Sequence, residues 1–357
     1  MTNRRDVVKG LGAVTLAGMA APTVLRAQEL TKISMGFGIK SINPIIINIL
    51  IGEGLGYYRD EGLQFTAKAL GTNSNAQIAV DKGAVEFAVG TPSFQMPLYA
   101  KNELPRIVNF YEYTYPYKWD VAVLPDSTIK DYQSLKGKKV GVSDLGTTDY
   151  PVTRAVVRNV GLDPDKDVQW IAVGAGVSAG VALQRGVIDA LAYFDTGFGQ
   201  IEAANIPMRM LPRPKDVPLI GGLFLSAMEN YIKANRKICV GFARGVAKSS
   251  EFLLANPRAG AKVFIDLFPE TAPRGASAEE AIRSVLFAAQ RRIPLYRPPY
   301  PNTKMGFIHE DELMRDATFL GLDTIKDVKP LFTNEMIEEI NNFDRAPIIE
   351  RARDYKI

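Results

Sequence analysis

The chain has 357 residues and a formal net charge of +4, from 43 lysine and arginine residues against 39 aspartate and glutamate residues. This length exceeds what one hydrophobic core usually holds and predicts two domains or lobes. One cysteine and one histidine exclude an intramolecular disulfide and are too few for a zinc site. We therefore expect no metal site, no cofactor and a stability that rests on packing.

Residues 1–27 have the parts of a twin-arginine export signal in the required order. Paired arginines at residues 4 and 5 precede an uncharged, largely apolar run that is short for a membrane span, and the small residue Ala27 follows. The pattern predicts a periplasmic protein cut after Ala27, with Ala20 and Ala21 as other cleavage points. An ordinary N-terminal anchor or a disordered basic tail is the alternative interpretation.

Removal of residues 1–27 takes away four positive charges and one negative charge, so the mature chain is close to neutral. No basic tract that would neutralise phosphates remains, which argues against nucleic acid as a partner. No Gly-x-Ser-x-Gly elbow, Walker loop or Gly-x-Gly-x-x-Gly fingerprint follows a predicted strand. The single histidine, His309, precedes a predicted helix, where we expect a structural or solvent-facing role. These features favour a binding protein over an enzyme.

Short strand-like and helical segments alternate in the first part of the mature chain, a pattern that builds parallel sheets covered by helices. In chain order, the predicted strands cover residues 31–37, 63–67, 85–89, 107–111, 121–124, 139–142 and 168–173. The helices predicted between them cover residues 44–55, 74–82, 92–101, 149–160 and 178–185. A run of isoleucines at residues 45–49 makes a strand equally arguable there.

Longer helical patterns dominate from about residue 235 onwards. The predicted helices cover residues 236–254, 259–267, 278–290, 311–320 and 334–341. A proline-rich passage at residues 294–301 predicts a rigid, irregular connection. We expect these C-terminal helices to cover the sheet of the first lobe, with the chain crossing back near residues 226–230.

Three segments resemble one known family. Residues 54–63, Gly-Leu-Gly-Tyr-Tyr-Arg-Asp-Glu-Gly-Leu, are similar to the glycine, aromatic, acidic and Gly-Leu segment of substrate-binding proteins in the NMT1/THI5-like group, including SsuA-like and TauA-like proteins. Residues 82–90 and 182–190 resemble the corresponding turn-and-strand elements of the two lobes. The resemblance spans most of residues 31–260. It implies an α/β, type II periplasmic-binding-protein fold with a ligand cleft between two α/β lobes and extra C-terminal helices.

The resemblance implies an extracytoplasmic solute-binding protein of an ABC importer. We expect residues 28–114 and 228–357 to form the first lobe and residues 115–227 the second. The implied partners are a small anionic or ring-containing solute, such as a sulfonate, nitrate, taurine, an aromatic acid or a pyrimidine, and an inner-membrane permease with its ATPase. We expect a monomer. The alternatives are a pyrimidine-synthase enzyme on the same fold, whose relatives look histidine-dependent and cysteine-rich, or a ligand-presenting sensor subunit.

Four predicted loops each follow a strand and open a helix, so their backbone N–H groups are expected to face one crevice. These loops cover residues 38–43, 90–93, 146–149 and 174–178. The candidate ligand-binding residues within them are Ile39, Lys40, Asn43, Thr91, Ser93, Thr147, Thr148 and Ser178. The alternative is plain helix capping for the hydroxyl groups and a solvated surface charge for Lys40.

Aromatic residues alternate along residues 111–119 and place five rings on one face of an extended chain. They either pack the core and hinge or form a wall beside a ring-containing ligand. Tyr113 from this stripe and Tyr150 from the second lobe are therefore candidate ligand contacts. Asp195 is a further candidate, which would hold an amine or exclude acids unless it is a surface charge.

Overall fold

The computed structural model describes residues 29–116, 118–218 and 220–357. The predicted export signal lies outside these residues. Ten strands form two five-stranded mixed sheets in the described part of the chain. The strands are β1 (Thr31–Phe37), β2 (Leu63–Ala69), β3 (Phe87–Gly90), β4 (Ile107–Thr114), β5 (Trp119–Val123), β6 (Lys138–Val142), β7 (Val168–Ala172), β8 (Ala190–Phe194), β9 (Arg209–Met210) and β10 (Leu223–Met228).

The two sheets share one topology. The first has the order β2-β1-β3-β10-β4 and the second the order β7-β6-β8-β5-β9. In each sheet the second strand in this order, β1 or β6, pairs in parallel with the strand on either side of it. The fourth strand, β10 or β5, pairs antiparallel with the third. The parallel strands therefore end at one edge of each sheet, where ligands bind in folds of this kind. The predicted α/β fold with two lobes is confirmed.

Thirteen α-helices cover the sheets in the described residues. They are α1 (Ile47–Gly54), α2 (Asn73–Asp81), α3 (Pro92–Ala100), α4 (Asp149–Asn159), α5 (Val177–Gln184), α6 (Asp195–Ala203), α7 (Glu229–Ala234), α8 (Arg236–Ala255), α9 (Pro257–Leu267), α10 (Ala278–Ala289), α11 (Glu310–Phe319), α12 (Ile337–Ile340) and α13 (Ala346–Arg353). Across residues 29–116, 118–218 and 220–357, no helix combines the length and apolar character needed to cross a membrane.

The isoleucine run at residues 45–49 is helical, so the strand alternative is wrong. The Asn43 side chain accepts a hydrogen bond from the backbone N–H of Ile45 at 3.0 Å, and Pro44 begins a 3-10 turn that leads into α1. Proline suits this first turn because its missing N–H would have no helical partner there. The isoleucines are then buried where α1 packs against α8 and α9.

The first sheet unit, which we define as β1 to β4, β10 and the helices packed on them, has a core rich in aromatic rings. Phe242 of α8 stacks on Phe65 and Phe87, with ring centroids 5.2 and 4.7 Å apart. The C-terminal helices thus cover the first sheet, as the sequence pattern predicts. Cys239, also on α8, is a free, buried thiol in this core.

The chain crosses between the first unit and the second unit, which contains β5 to β9, at two places. It leaves after β4 and returns between the end of β9 at Met210 and the start of β10 at Leu223. The expected return near residues 226–230 is therefore too late, because β10 already pairs with β3 and β4. We propose that the second lobe ends before Leu223 and not at residue 227.

Candidate functional site

A cavity of about 120 Å³ lies between the two units, at the edge where β1 and β6 end. Both units contribute to its wall. The first unit gives the loop after β1 and Tyr113 of β4, and the second gives the loop after β6 together with Ala175 and Phe194. Three of the four predicted loops therefore reach one cleft, whereas the loop at residues 90–93 does not.

Six of the eleven candidate residues line this cavity. They are Ile39, Lys40, Asn43, Tyr113, Thr147 and Thr148. The five candidates that the cavity wall does not include are Thr91, Ser93, Tyr150, Ser178 and Asp195.

Four of these five side chains lie outside the cavity wall, two of them with local contacts. Thr91 and Ser93 stand at the start of α3, a helix that packs on α11, and their buried hydroxyls have no hydrogen-bond partner in the described part of the chain. Tyr150 packs edge-on against Trp170, with ring centroids 5.4 Å apart. The Ser178 hydroxyl donates to a carbonyl of its own loop at 3.0 Å. These residues belong to loops and helix starts that follow strands, as predicted, but they do not line the cavity.

The fifth candidate, Asp195, is bound by Arg292. Arg292 Nε donates to Asp195 Oδ2 at 2.6 Å, Nη2 donates to Oδ1, and Nη1 donates to the carbonyl of Ile45 at 3.3 Å. The two charged side chains are only 1 % and 9 % exposed. Asp195 begins α6 in the second unit, whereas Arg292 follows α10 against the core of the first. The pair therefore joins the two units. The surface-charge alternative for Asp195 is wrong because the side chain is buried, and its role in holding an amine or excluding acids stays a prediction.

Sequence reasoning missed Arg292, which itself lines the cleft. Its partner is 97 residues away in the sequence. A basic residue near the end of a helix is also common, because it complements the helix dipole. No local signal therefore marks Arg292 as a site residue.

Lys118 lines the cleft from the first crossing between the units. The residue is 2 % exposed, and its Nζ donates to the carbonyl of Gly221 in the second crossing. Nζ also lies 4.2 Å from the centroid of a Trp119 ring, a cation–π contact. Burial lowers the pKa of Lys118 to about 7, and the Arg292 guanidinium adds to this effect. Sequence reasoning missed Lys118, although it stands within the aromatic stripe.

The loop after β6 is organised by Asp149, the first residue of α4. Asp149 accepts hydrogen bonds from the backbone N–H of Ser143 at 2.6 Å and from the hydroxyls of Ser143 and Thr147 at 2.7 and 2.5 Å. Burial raises the pKa of Asp149, and these hydrogen bonds oppose that shift. The Thr147 hydroxyl thus binds its own loop and fixes it at the cleft wall.

Two polar contacts span the cleft. Asn73 Nδ2 at the start of α2 donates to Thr148 Oγ1 at 2.7 Å. Lys40 Nζ lies 3.9 Å from Asp144 Oδ2, and the Lys40 side chain is 64 % exposed. An exposed pair of this kind contributes little to stability. Because each contact joins residues of different units, the structure is closed over the cleft.

The remaining wall is largely apolar and aromatic. Phe37, Trp119, Phe194 and Leu223 line the cavity beside Tyr113. The Tyr113 hydroxyl is buried and has no hydrogen-bond partner among the described residues. Two rings of the aromatic stripe, those of Tyr113 and Trp119, reach the cleft, and its other described tyrosines are buried in the interior. The stripe therefore packs the interior, and its role as a wall beside a ring-containing ligand stays a prediction.

Neither His309 nor Cys239 lines the cleft. His309 precedes α11, and its ring centroid is 4.4 Å from that of Tyr300 and 4.9 Å from that of Phe307. Burial raises the pKa of Cys239 to about 12, so the thiol is a poor nucleophile. Within the residues that the structure describes, no group of three or more His, Cys, Asp or Glu side chains is suited to a metal ion.

We expect strong energetic coupling between Arg292 and Asp195. Arg292→Met or Asp195→Asn alone leaves a buried charge without its partner and should lower the free energy of unfolding by about 3–5 kcal/mol. In the double variant, the free energy of unfolding should fall by clearly less than the sum of the decreases in the two single variants. Urea unfolding of the unsubstituted chain, the two single variants and the double variant measures these differences.

The control is the pair Arg291 and Glu202, which also joins the two units but has side chains that are 34 % and 28 % exposed. Its coupling should not exceed about 1 kcal/mol, because water screens the charges. Equal coupling in the two pairs would contradict the role given to burial.

Solved structures with a similar fold include two binding proteins. The alkanesulfonate-binding protein SsuA from Xanthomonas axonopodis pv. citri, bound to MOPS, gives a TM-score of 0.62 at 15 % identity, over 86 % of this chain and 99 % of that one. The periplasmic nitrate-binding protein NrtA from Synechocystis PCC 6803 gives a TM-score of 0.60 at 12 % identity, over 91 % of this chain and 89 % of that one. The fold is the two-lobed type II periplasmic-binding-protein fold.

A curated relative is an enzyme by name. The 4-amino-5-hydroxymethyl-2-methylpyrimidine phosphate synthase of Aspergillus parasiticus is 22 % identical over 245 residues, a match that covers 63 % of this chain and 68 % of the relative. A family model described as NMT1/THI5 like matches residues 43–260, more than half of the chain. The chain therefore belongs to the NMT1/THI5-like family.

Proposed function

We propose that this chain is the extracytoplasmic solute-binding protein of an ABC importer. It captures a small solute between its lobes and delivers it to an inner-membrane permease that works with an ATPase. The observation that carries this proposal is the cleft, whose wall comes from both units and combines buried cations with aromatic rings. Relatives with this fold include binding proteins for alkanesulfonates and nitrate, which supports the same role here.

Capture proceeds by hinge closure. The hydrogen bond from Asn73 to Thr148 and the contact between Lys40 and Asp144 exist only while the two units are close together. A solute that touches loops of both units binds the closed form more tightly and raises its population. Opening against the permease then breaks these contacts and releases the solute.

The solute is small and carries an anionic group, a ring or both. The closed cavity of about 120 Å³ is smaller than the roughly 300–1,000 Å³ of pockets for drug-sized ligands. The rings of Trp119, Phe194 and Phe37 offer offset stacking to a planar solute. Sulfonates, taurine, nitrate, aromatic acids and pyrimidine-like molecules are the classes that these features favour.

A pyrimidine-synthase activity on the same fold is the second candidate, because one curated relative carries that activity in its name. Such chemistry needs acid, base or nucleophilic groups at the bound substrate. The positions of His309 and Cys239 away from the cleft favour binding without turnover. Mass spectrometry of the solute after incubation separates the two functions, since a binding protein returns it unaltered.

We propose a monomer whose membrane partner is a transporter. A sensor subunit that presents the closed form to a receptor would use the same hinge. Deletion of the chain distinguishes these roles, because only an import component is required for solute uptake. Unimpaired uptake in the deletion strain, with a lost transcriptional response to the solute, would favour the sensor.

A thermal-shift screen of the mature chain, stripped of solute by unfolding and refolding, tests the proposal. The panel contains sulfonates, taurine, nitrate, aromatic acids, pyrimidines and flavins. A true solute at one hundred times its dissociation constant should add roughly 2.7 kcal/mol to the free energy of unfolding. Stabilisation by one chemical class is the expected result, and no shift with any class would count against a solute-binding function.

Removal of the cross-cleft hydrogen bond should weaken capture without altering the fold. Asn73→Ala removes the donor to Thr148 and should reduce solute affinity by about 0.5–1.5 kcal/mol, because only the closed form contains that bond. Calorimetric titration with a solute found in the screen measures the change. The control is Asn75→Ala on the same helix, since Asn75 Nδ2 donates to the carbonyl of Leu70 within the first unit. Equal losses in the two variants would contradict closure across the cleft.

We also propose that residues 1–27 are a twin-arginine signal that sends the folded chain to the periplasm. Arg4→Lys combined with Arg5→Lys should block this route, while Arg26→Lys outside the arginine pair should leave export intact. Cell fractionation followed by immunoblotting measures the periplasmic share. Undiminished periplasmic protein from the double variant would rule out the twin-arginine route.

A further inference from the structure

Lys118 is a buried lysine whose amino group has no carboxylate partner in the described structure. Its Nζ donates to the carbonyl of Gly221 and faces a Trp119 ring, and no carboxylate oxygen of a described residue lies within 4.0 Å. An ammonium group of this kind is costly to bury unless it is paired. Because Lys118 lines the cleft, a solute can supply the missing negative charge.

The charged groups around Lys118 do not supply that charge. Asp195 is engaged by Arg292, whose own positive charge also faces Lys118. The Asp316 carboxylate accepts hydrogen bonds from the backbone N–H of Gly221 at 3.1 and 3.4 Å. Burial raises the pKa of Asp316 to about 8, which favours its neutral form.

Glu112 is the third acidic group that acts on Lys118. Both of its carboxylate oxygens are buried without a hydrogen-bond partner among the described residues. Burial, assisted by the nearby Glu312, raises the pKa of Glu112 well above its ordinary value. On the cleft side, the acidic groups Asp149 and Asp144 belong to the loop after β6, where hydroxyls and Lys40 contact them. The surroundings therefore favour an uncharged Lys118 while the cleft holds no anion.

The orphan hydroxyl of Tyr113 is a second observation that points to a ligand at this place. It is buried, lines the same cavity and lies near the Arg292 guanidinium. Tyr113 and Lys118 thus line one cavity, and a hydroxyl donor together with an ammonium group matches the oxygen atoms of a sulfonate or carboxylate.

We propose that Lys118 binds the anionic group of the solute, beside the Tyr113 hydroxyl, and takes up one proton from solvent as the solute binds near neutral pH. This inference rests on the proposed solute-binding function. It makes Lys118 the residue that selects for a negative charge, and it links solute capture to pH.

The direction of the pH dependence follows from linkage. An anion beside Lys118 favours the charged ammonium and raises its pKa above the value of about 7 in the empty cleft. Below that pH the lysine is charged before and after binding, so affinity is constant. Above it, binding must first add a proton, so affinity falls by up to about tenfold per pH unit until the pKa of the complex is reached.

Calorimetric titration tests this with benzenesulfonate, methanesulfonate and nitrate, which stay ionised throughout, and with neutral benzamide. Affinity for the bound anion should be about tenfold weaker at pH 8 than at pH 6. Measurements in two buffers of different ionisation enthalpy should show uptake of close to one proton at pH 8 and little at pH 6. An anion that binds with equal affinity at the two pH values and without proton uptake would overturn the proposal.

Three variants assign the proton. Lys118→Met should bind the anion at least tenfold more weakly at pH 6 and without proton uptake. Lys40→Met should lower affinity for the anion by the same factor at pH 6 and pH 8. It should keep the proton uptake on binding, because Lys40 is exposed. Asp316→Asn should also keep the proton uptake. Proton uptake that persists in Lys118→Met, or that disappears only in Asp316→Asn, would overturn the role of Lys118. Thermal unfolding of each variant confirms that it is folded.

The outcome also separates this inference from the proposed function. Binding of benzamide or another neutral solute, with no anion bound, would overturn the role of Lys118 and leave a solute-binding protein. Failure of the stripped protein to bind any member of the thermal-shift panel would overturn both.

Discussion

The buried ion pair between Arg292 and Asp195 is the constraint on which the closed cleft depends. It joins α6 of the second unit to the chain after α10 of the first, and the Arg292 guanidinium also holds the carbonyl of Ile45 at the start of the cleft wall. A buried pair of this kind need not add much net stability, but loss of one partner is costly. The pair therefore fixes how the units meet, and it neutralises Asp195, one of the acidic groups that act on Lys118.

The cleft gains its chemical character from this arrangement. With Asp195 occupied by Arg292, the Lys118 amino group and the Tyr113 hydroxyl are buried polar groups at the wall that have no side-chain hydrogen-bond partner among the described residues. The aromatic and aliphatic side chains around them exclude water, which strengthens the attraction between an ammonium group and an anion. A solute with both a negative charge and an apolar surface can contact the polar groups and the apolar side chains of the wall at once. Its contacts with both units favour closure.

Much of the fold could be predicted from the sequence because its signals are local. Strand patterns, glycine stops and the Asn43–Pro44 start of the first helix each depend on a few neighbouring residues. β10 and β8 were not predicted as strands, since their apolar runs carry no distinct period. The loops after β1 and β6 were predicted to reach the cleft because parallel strands end at one sheet edge. Arg292 and Lys118 could not be found, because their partners lie 97 and 103 residues away.

The central claim is that a solute holds the two lobes closed. Small-angle X-ray scattering of the stripped mature chain, before and after saturation with a solute from the screen, tests it most directly. The account predicts a larger radius of gyration without solute and a curve that matches the closed structure with it. Identical scattering curves in the two conditions, at proven saturation, would contradict capture by hinge closure.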